Sequence, residues 1–298
     1  MSRMRQVFSV AVYDFRQWSG NPRVIATFAL AFILCFLLSD KAVRFTREYS
    51  STMQAVEAFV WTFGDANSIL LVSLLLALLF ADMPFLSAGT PYYLTRIDRK
   101  TWLMGQALYI ILTTAIYMVF ILVSTSVICM RQSFSGNMWS ETAAILGYSG
   151  AGKAVALPAL VKTLEMSTPY ACMGAIFLLM LLYALVLAFL MLSMNIRFGQ
   201  LSGVVSAFAF SLFGFLLNPE LLRAAFHLPN ELMYRANVAV GWLSPLNHAT
   251  YHMHNFGYDL LPRLWQTYLI FAGLIAGLFL FALRSIRRYN FNFSGTEG

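Results

Sequence analysis

Apolar residues fall along this chain in long runs divided by short polar connections, the pattern of helices that cross a bilayer. Spanning takes about 20 mostly apolar residues. Six stretches approach that length: 24–39, 66–86, 101–129, 169–195, 198–217 and 264–283. The first is short and borrows flanking residues, while the third and fourth are long enough to tilt or protrude. Ahead of them, Met4, Val7, Phe8, Ala11, Val12, Phe15 and Trp18 follow the i, i+3, i+4, i+7 spacing of one helical face. Arg3, Arg5, Gln6, Ser9, Asp14, Arg16 and Gln17 fall mostly elsewhere on that wheel, and Ser-Gly-Asn-Pro at 19–22 ends it. Such a helix suits the membrane interface, with Arg beside lipid headgroups.

The connections are unequal. Two are short, 87–100 and a few residues around Arg197; three are long, 40–65, 130–168 and 218–263. The last holds two further apolar runs, 221–228 and 238–246, too short to span and better read as re-entrant or interfacial helices. The expected fold is an all-α membrane protein, one transmembrane domain over 1–298. Residues 1–23 form the amphipathic helix, 24–217 spans one to five, 218–263 an outer region, and 264–298 the last span and tail. No cleavable signal is apparent, because no small-residue cleavage site follows a short apolar run near the N-terminus. No internal repeat, low-complexity tract or soluble domain interrupts this plan.

Composition agrees. Of 298 residues 59% are apolar and 11% charged, whereas soluble domains run near about 45–50% and 25%. Mean hydropathy is +0.69. This excludes an ordinary cytosolic enzyme, a disordered chain and a disulfide scaffold. The net charge of +7 reads as orientation rather than nucleic-acid binding. With six spans both termini share a side. That side holds Arg3, Arg5, Arg16, Arg23, Arg96, Arg99, Lys100, Arg197, Arg284, Arg287 and Arg288 against Asp14, Asp98 and Glu297. Acids and bases balance on the other. The positive-inside rule places both termini in the cytoplasm. The odd count of cysteines, Cys35, Cys129 and Cys172, gives no disulfide framework. Cys129 and Cys172 share a predicted face, so a bridge between them stays open beside the reading as small apolar core residues.

Two tempting motifs are weak. Gly147-Tyr-Ser-Gly-Ala-Gly152-Lys153 satisfies G-x-x-x-x-G-K, but Ala154 stands where a P-loop needs Ser or Thr for magnesium, and the segment lies on the predicted outer side. Any ATP is then bound by a partner. His248 and His252 share a helical face, with His254 nearby; they are the candidates for a metal, yet a catalytic zinc needs a third ligand and a base that no motif supplies. Packing among Trp242, Tyr251 and Phe256 is the plainer reading, so no metal is expected.

Small residues recur at helix spacing in Gly199-x-x-x-Gly203 and Gly273-x-x-x-Gly277, which suits close helix packing within the chain or across a dimer seam. Asp82 is a marginal ionisable residue at a span end, poor support for ion coupling. The richest short stretch is 89–106: Tyr92, Tyr93, Arg96, Asp98, Arg99 and Lys100 crowd aromatics and charge into a loop longer than a tight turn needs. Aromatics and Arg anchor interfaces, and interfacial Tyr and Trp with cations also anchor a span.

Taken together these features resemble the permease subunits of type-2 ABC exporters. The helix 4–18, with Phe8, Phe15 and Trp18, resembles that family's connecting helix. Arg96-x-x-Arg99-x-x-Trp102-x-x-Gly105-Gln106 resembles its segment after span two, which carries the coupling helix. Trp242-Leu-Ser-Pro-Leu-Asn-His-Ala-Thr-Tyr251 resembles the Pro-containing stretch before the final span. The long loop 130–168 departs from the pattern. The resemblance implies a permease rather than an enzyme, working as a homo- or heterodimer in a bacterial plasma membrane, in contact with lipid. ATP and magnesium are implied on a separate cytosolic ATPase that docks on 92–100, and export of an unidentified, amphiphilic-compatible substrate by alternating access. The alternatives are a non-transporting assembly or sensor subunit, a secondary carrier, and an intramembrane metalloenzyme.

Overall fold

The computed structural model describes residues 2–85, 90–155, 157, 159–227, 229–257 and 259–289. Parts of the 87–100 connection, Tyr93's side chain, the side chain of Lys153, and Glu297 lie outside the described residues. Helix α1 (Arg3–Arg16) leads through a short 3₁₀ turn to α2 (Pro22–Glu48). Asn21 starts α2 by accepting the Arg23 amide at 3.0 Å, with Pro22 at the first helical position, where its missing N–H costs nothing. The apolar run predicts 24–39, but the helix continues through Asp40–Arg44, an i,i+4 ion pair at 2.6 Å. Helicity therefore outlasts apolarity, and the last turns stand clear of the hydrophobic run.

The second predicted span, 66–86, holds one helix, and the connection before it, read as loop, holds another. The buried α3 (Glu57–Phe63) meets α4 (Ala66–Phe80) at 88°. Asp65 sits between them and caps α4 by accepting from the Asn67 and Ser68 amides. Fifteen residues rise about 22 Å, less than the roughly 30 Å of a hydrocarbon core. A short helix α5 (Thr90–Leu94) precedes α6 (Arg99–Cys129).

The 130–168 connection holds α7 (Glu141–Tyr148), α8 (Ala151–Ala154) and α9 (Val161–Met166). It folds onto the segment before α3. Strands β1 (Met53–Gln54) and β2 (Ser133–Phe134) pair in parallel. Glu57, fully buried, accepts the Ser140 amide at 2.7 Å and its hydroxyl at 2.5 Å. Trp61 packs against Trp139 at 5.3 Å. The 130–168 connection is thus a built layer over one end of the bundle.

Helix α10 (Pro169–Phe198) is the buried axis. It turns at Gly199, φ +102°, into α11 (Gln200–Leu216). That left-handed backbone is open at low cost only to glycine. Helix α12 (Pro219–Ala225) leaves α11 at 83°. Next come α13 (Met233–Leu243) and α14 (Pro245–Ala249); of the two short runs expected here, 221–228 overlaps α12 and 238–246 straddles α13 and α14. The Ser244 hydroxyl donates to the Gly214 carbonyl at 2.9 Å, docking this stretch on α11. Finally α15 (Leu264–Ser285) runs alongside α10, with Tyr183 near Phe271 and Phe189 near Phe279, and ends in a 3₁₀ turn, Ile286–Arg288.

The chain is an all-α protein and has, among the described residues, four helices long and apolar enough to cross a membrane, or up to six if each bent pair is one span. All three cysteines are buried and unbridged, so the pairing of Cys129 with Cys172 does not form. A helix, α7, rather than a strand leads into Gly147–Lys153.

Candidate functional site

The end of the bundle that carries both described chain ends also carries the coupling residues expected from the sequence. Helix α1 buries Val10, Ala11 and Asp14 against α6. The approach is close because Gly105 has no side chain: a Cβ there would lie 2.6 Å from Val10 Cβ. Trp18 Nε1 donates to the Tyr109 hydroxyl at 2.8 Å, and Phe15 packs on the same ring at 4.9 Å. Phe8 does not join this seam and is 59% exposed, and Met4 beside it on the wheel is exposed too. The apolar arc of α1 therefore divides between protein and surroundings.

Asp14 departs from the polar face on which its charge predicts it: it lies at the centre of the buried one. Its carboxylate accepts from Gln106 Nε2 at 2.7 Å, and Gln106 Oε1 in turn accepts the Phe85 amide at 3.4 Å. Burial pushes the Asp14 carboxyl from 3.8 up to about 7, with the Gln106 donation opposing. The folded chain thus holds this proton where the unfolded chain has released it. Stability is full below the unfolded pKa and falls as pH rises from about 4 to about 7. Asp14→Asn is expected to match wild type only near pH 4 or below, to be more stable by about 1–2 kcal/mol at pH 5, and by up to about 4 kcal/mol at pH 8. Thermal melts of both proteins at pH 5 and 8 check this; parallel profiles would overturn it.

The 92–100 residues separate into two roles. Tyr92 is 79% exposed, and Arg96, Asp98 and Lys100 are exposed beside it. Arg99 is not free for a partner: its guanidinium donates to the carbonyls of Ile286, Arg287 and Tyr289 at 3.5, 3.2 and 3.2 Å. It fastens the start of α6 to the end of α15, whose last carbonyls lack helical donors. Asp98 stands at the N-cap of α6 without a side-chain cap bond. The run Arg99, Trp102, Gly105 and Gln106 thus ties together α15, the core, α1 and the backbone at Phe85.

A second assembly lies close by. Asp82 pairs with Arg23 and accepts from Gln200 Nε2 at 3.2 Å, joining α2 and α11 beyond the end of α4. Asn195 donates to the Met83 carbonyl at 2.7 Å and accepts the Gly203 amide at 2.6 Å. Gly203 is packed within the chain, where a Cβ would meet Met191 O at 2.6 Å; Gly199 makes the turn instead of a seam. Gly273 and Gly277 have nothing within 4 Å of an added Cβ, so that face of α15 contacts no described part of the chain. A cleft of about 390 Å³ opens between Asp82, Asn195, Arg197, Gln200 and Arg288.

The histidines sit elsewhere, under the pre-span stretch. His248 and His254 both meet Thr267 Oγ1 at 2.9 Å; His248 also reaches the Trp242 carbonyl and His254 the Thr250 and Tyr251 carbonyls. His252 reaches Gly64 O at 3.1 Å. A ring nitrogen facing a carbonyl must carry the proton, and the single Thr267 hydroxyl proton serves one of the two rings that face it. Burial holds all three below the usual histidine range, His254 down to about 4. Among the described residues no three His, Cys, Asp or Glu side chains are placed to hold a metal. No family model and no curated protein matches the chain.

Proposed function

We propose that this chain is the transmembrane permease subunit of an ATP-driven exporter of the type-2 ABC class. In this reading it crosses a bacterial plasma membrane six times, each bent pair serving as one span, with both termini cytoplasmic and α1 in the interface. The observation that carries the reading is the Arg99–Gln106 run, which gathers α1, the α4–α6 connection and the end of α15 into one unit. A push on such a unit moves three elements at once. Tyr92, Arg96, Asp98 and Lys100 stand exposed on it, where a cytosolic ATPase carrying ATP and magnesium would dock. Binding that differs between two states of that ATPase then biases two states of the permease. The open faces of α11 and α15 suit lipid and a second permease chain, identical or related.

Purification in mild detergent, identification of bound chains and an ATP hydrolysis assay test this. A co-purifying P-loop ATPase is expected. Arg96→Glu should lose it without moving the melting temperature, because Arg96 is exposed. Arg99→Glu should also lower stability by about 1–3 kcal/mol, since it removes charge-assisted bonds to backbone carbonyls. A chain that purifies alone with no ATPase activity, or an Arg96→Glu variant that keeps its ATPase, would overturn the docking surface.

A further inference from the structure

We propose that the cleft between the ends of α10 and α15 binds the phosphate headgroup of an anionic phospholipid, in the leaflet on the side of the chain ends. The cleft measures about 490 Å³ and is lined by Arg197, Arg284, Arg287 and Arg288, with Ile196 and Phe281. All four arginines are exposed. Among the described residues the ion pairs are Arg23–Asp82, Arg44–Asp40 and Lys162–Asp259, so no carboxylate there answers any of the four. Asp82, in the adjoining cleft, is engaged by Arg23 and Gln200.

Neither helix polarity nor membrane orientation accounts for the whole cluster. Helix C-termini attract cations, and both α10 and α15 end here. Yet the carbonyls of Ile286, Arg287 and Tyr289 are served by Arg99 from a different helix. Topogenic charge explains arginine near a span end, but not four arginines lining one cleft beside Ile196 and Phe281, one of them, Arg197, stacked over Phe198 at 5.5 Å. Guanidiniums stay charged and bind phosphate in bidentate fashion, so four in one cleft repel each other unless an anion lies between them.

The occupant is a lipid rather than a free phosphate because the cleft continues onto apolar surface. Phe281 is 38% exposed within it, and Leu280 and Leu274 extend the exposed track of α15 away from the arginines. A headgroup among the arginines places acyl chains on that track, the arrangement of basic pockets at helix ends that hold anionic lipid. The proposal is independent of any ATPase partner.

The test uses full-length protein in nanodiscs of mixed phosphatidylglycerol and phosphatidylcholine, with retained lipid counted by native mass spectrometry. Wild type should retain phosphatidylglycerol preferentially. Arg284→Gln with Arg288→Gln should lower that retention roughly tenfold or more. Arg47→Gln with Arg131→Gln, equal charge removed from exposed positions at the far ends of α2 and α6, should leave it unchanged. Arg284→Lys with Arg288→Lys keeps the charge and should keep most of the preference, which covers the case in which the Gln pair fails to fold. No preference in wild type, equal loss in the Arg47/Arg131 variant, or loss in the Lys pair as complete as in the Gln pair would overturn the proposal. So would displacement of the lipid by glycerol 3-phosphate at matched concentration, which would make the site one for soluble phosphate.

Discussion

Gly105→Ala should detach α1 from the bundle, although alanine is the better helix former. Helix propensity favours the substitution by up to about 1 kcal/mol in a helix interior. Packing opposes it. The added Cβ would lie 2.6 Å from both Cβ and Cγ1 of Val10 and 3.1 Å from the Val7 carbonyl oxygen. The Val10 Cβ is fixed to its backbone and cannot rotate away, so the whole of α1 must shift. Overpacking of this kind costs about 1–3 kcal/mol, and the shift also strains the Asp14–Gln106 and Trp18–Tyr109 bonds at the same seam. The expected result is a lower melting temperature and rapid tryptic cleavage at Arg5 and Arg16. Val10→Gly in the same chain should restore protection in part, because only the loss of that Cβ clears the clash, at about 1 kcal/mol in helix propensity. An alanine variant that melts at or above wild type and resists trypsin would show that the seam is loose.

That seam also shows what the sequence could reveal. The residues on the buried arc of α1 are legible from their spacing, because a helix beside a bundle must turn one stripe inward. Asp14 is not, since its charge argues for the opposite face. By angle alone it falls inside the apolar arc, between Val7 and Val10 on the wheel, and its partner Gln106 is 92 residues away. The long helices are legible as apolar runs, but their contacts are not. In lipid an apolar side chain suits both a neighbouring helix and an acyl chain, so hydropathy measures length and not burial. Thus α10 and α15 read alike, yet 67% of the best window of one is buried against 17% of the other. Helix α3 is hidden altogether. It is short, headed by Glu57 and closed by Gly64, and its partners Ser140 and Trp139 lie in the distant 130–168 connection.

The candidate site is legible in part for the same reason. Spacing at i+3 puts Arg96, Arg99, Trp102 and Gly105 on one path, and aromatics with charge mark the loop as surface. What each side chain touches depends on α1 and on the 286–289 turn, neither near in sequence. Arg99 therefore reads as a contact for another protein when its bonds lie within the chain, and no pattern distinguishes an arginine that reaches out from one that reaches back.

Asn195→Leu should cost more than any change at the neighbouring ion pair. Asn195 is 1% exposed, and its two polar atoms serve two backbone groups, the Met83 carbonyl and the Gly203 amide. Leucine has nearly the same size but leaves both unpaired. Each buried orphan costs about 1–3 kcal/mol, so the sum is roughly 2–6 kcal/mol. Arg23 and Asp82 form a charged pair close to this junction, but their side chains are 46% and 45% exposed, where such a pair contributes about 0–1 kcal/mol. Asn195→Leu should therefore lower the melting temperature far more than Arg23→Ala. Equal melting temperatures for Asn195→Leu and Arg23→Ala would place the strength of the junction in charge instead. The ranking matters for the proposed transport cycle, because α10, α11 and the segment after α4 meet at Asn195, and any opening of this end must break or carry along those two bonds. An exposed ion pair can exchange partners with little loss as helices move; two buried backbone bonds through one amide move as a block. The three elements are then expected to travel together, the Asn195–Gly203 bond holding the Gly199 turn between α10 and α11 as they move.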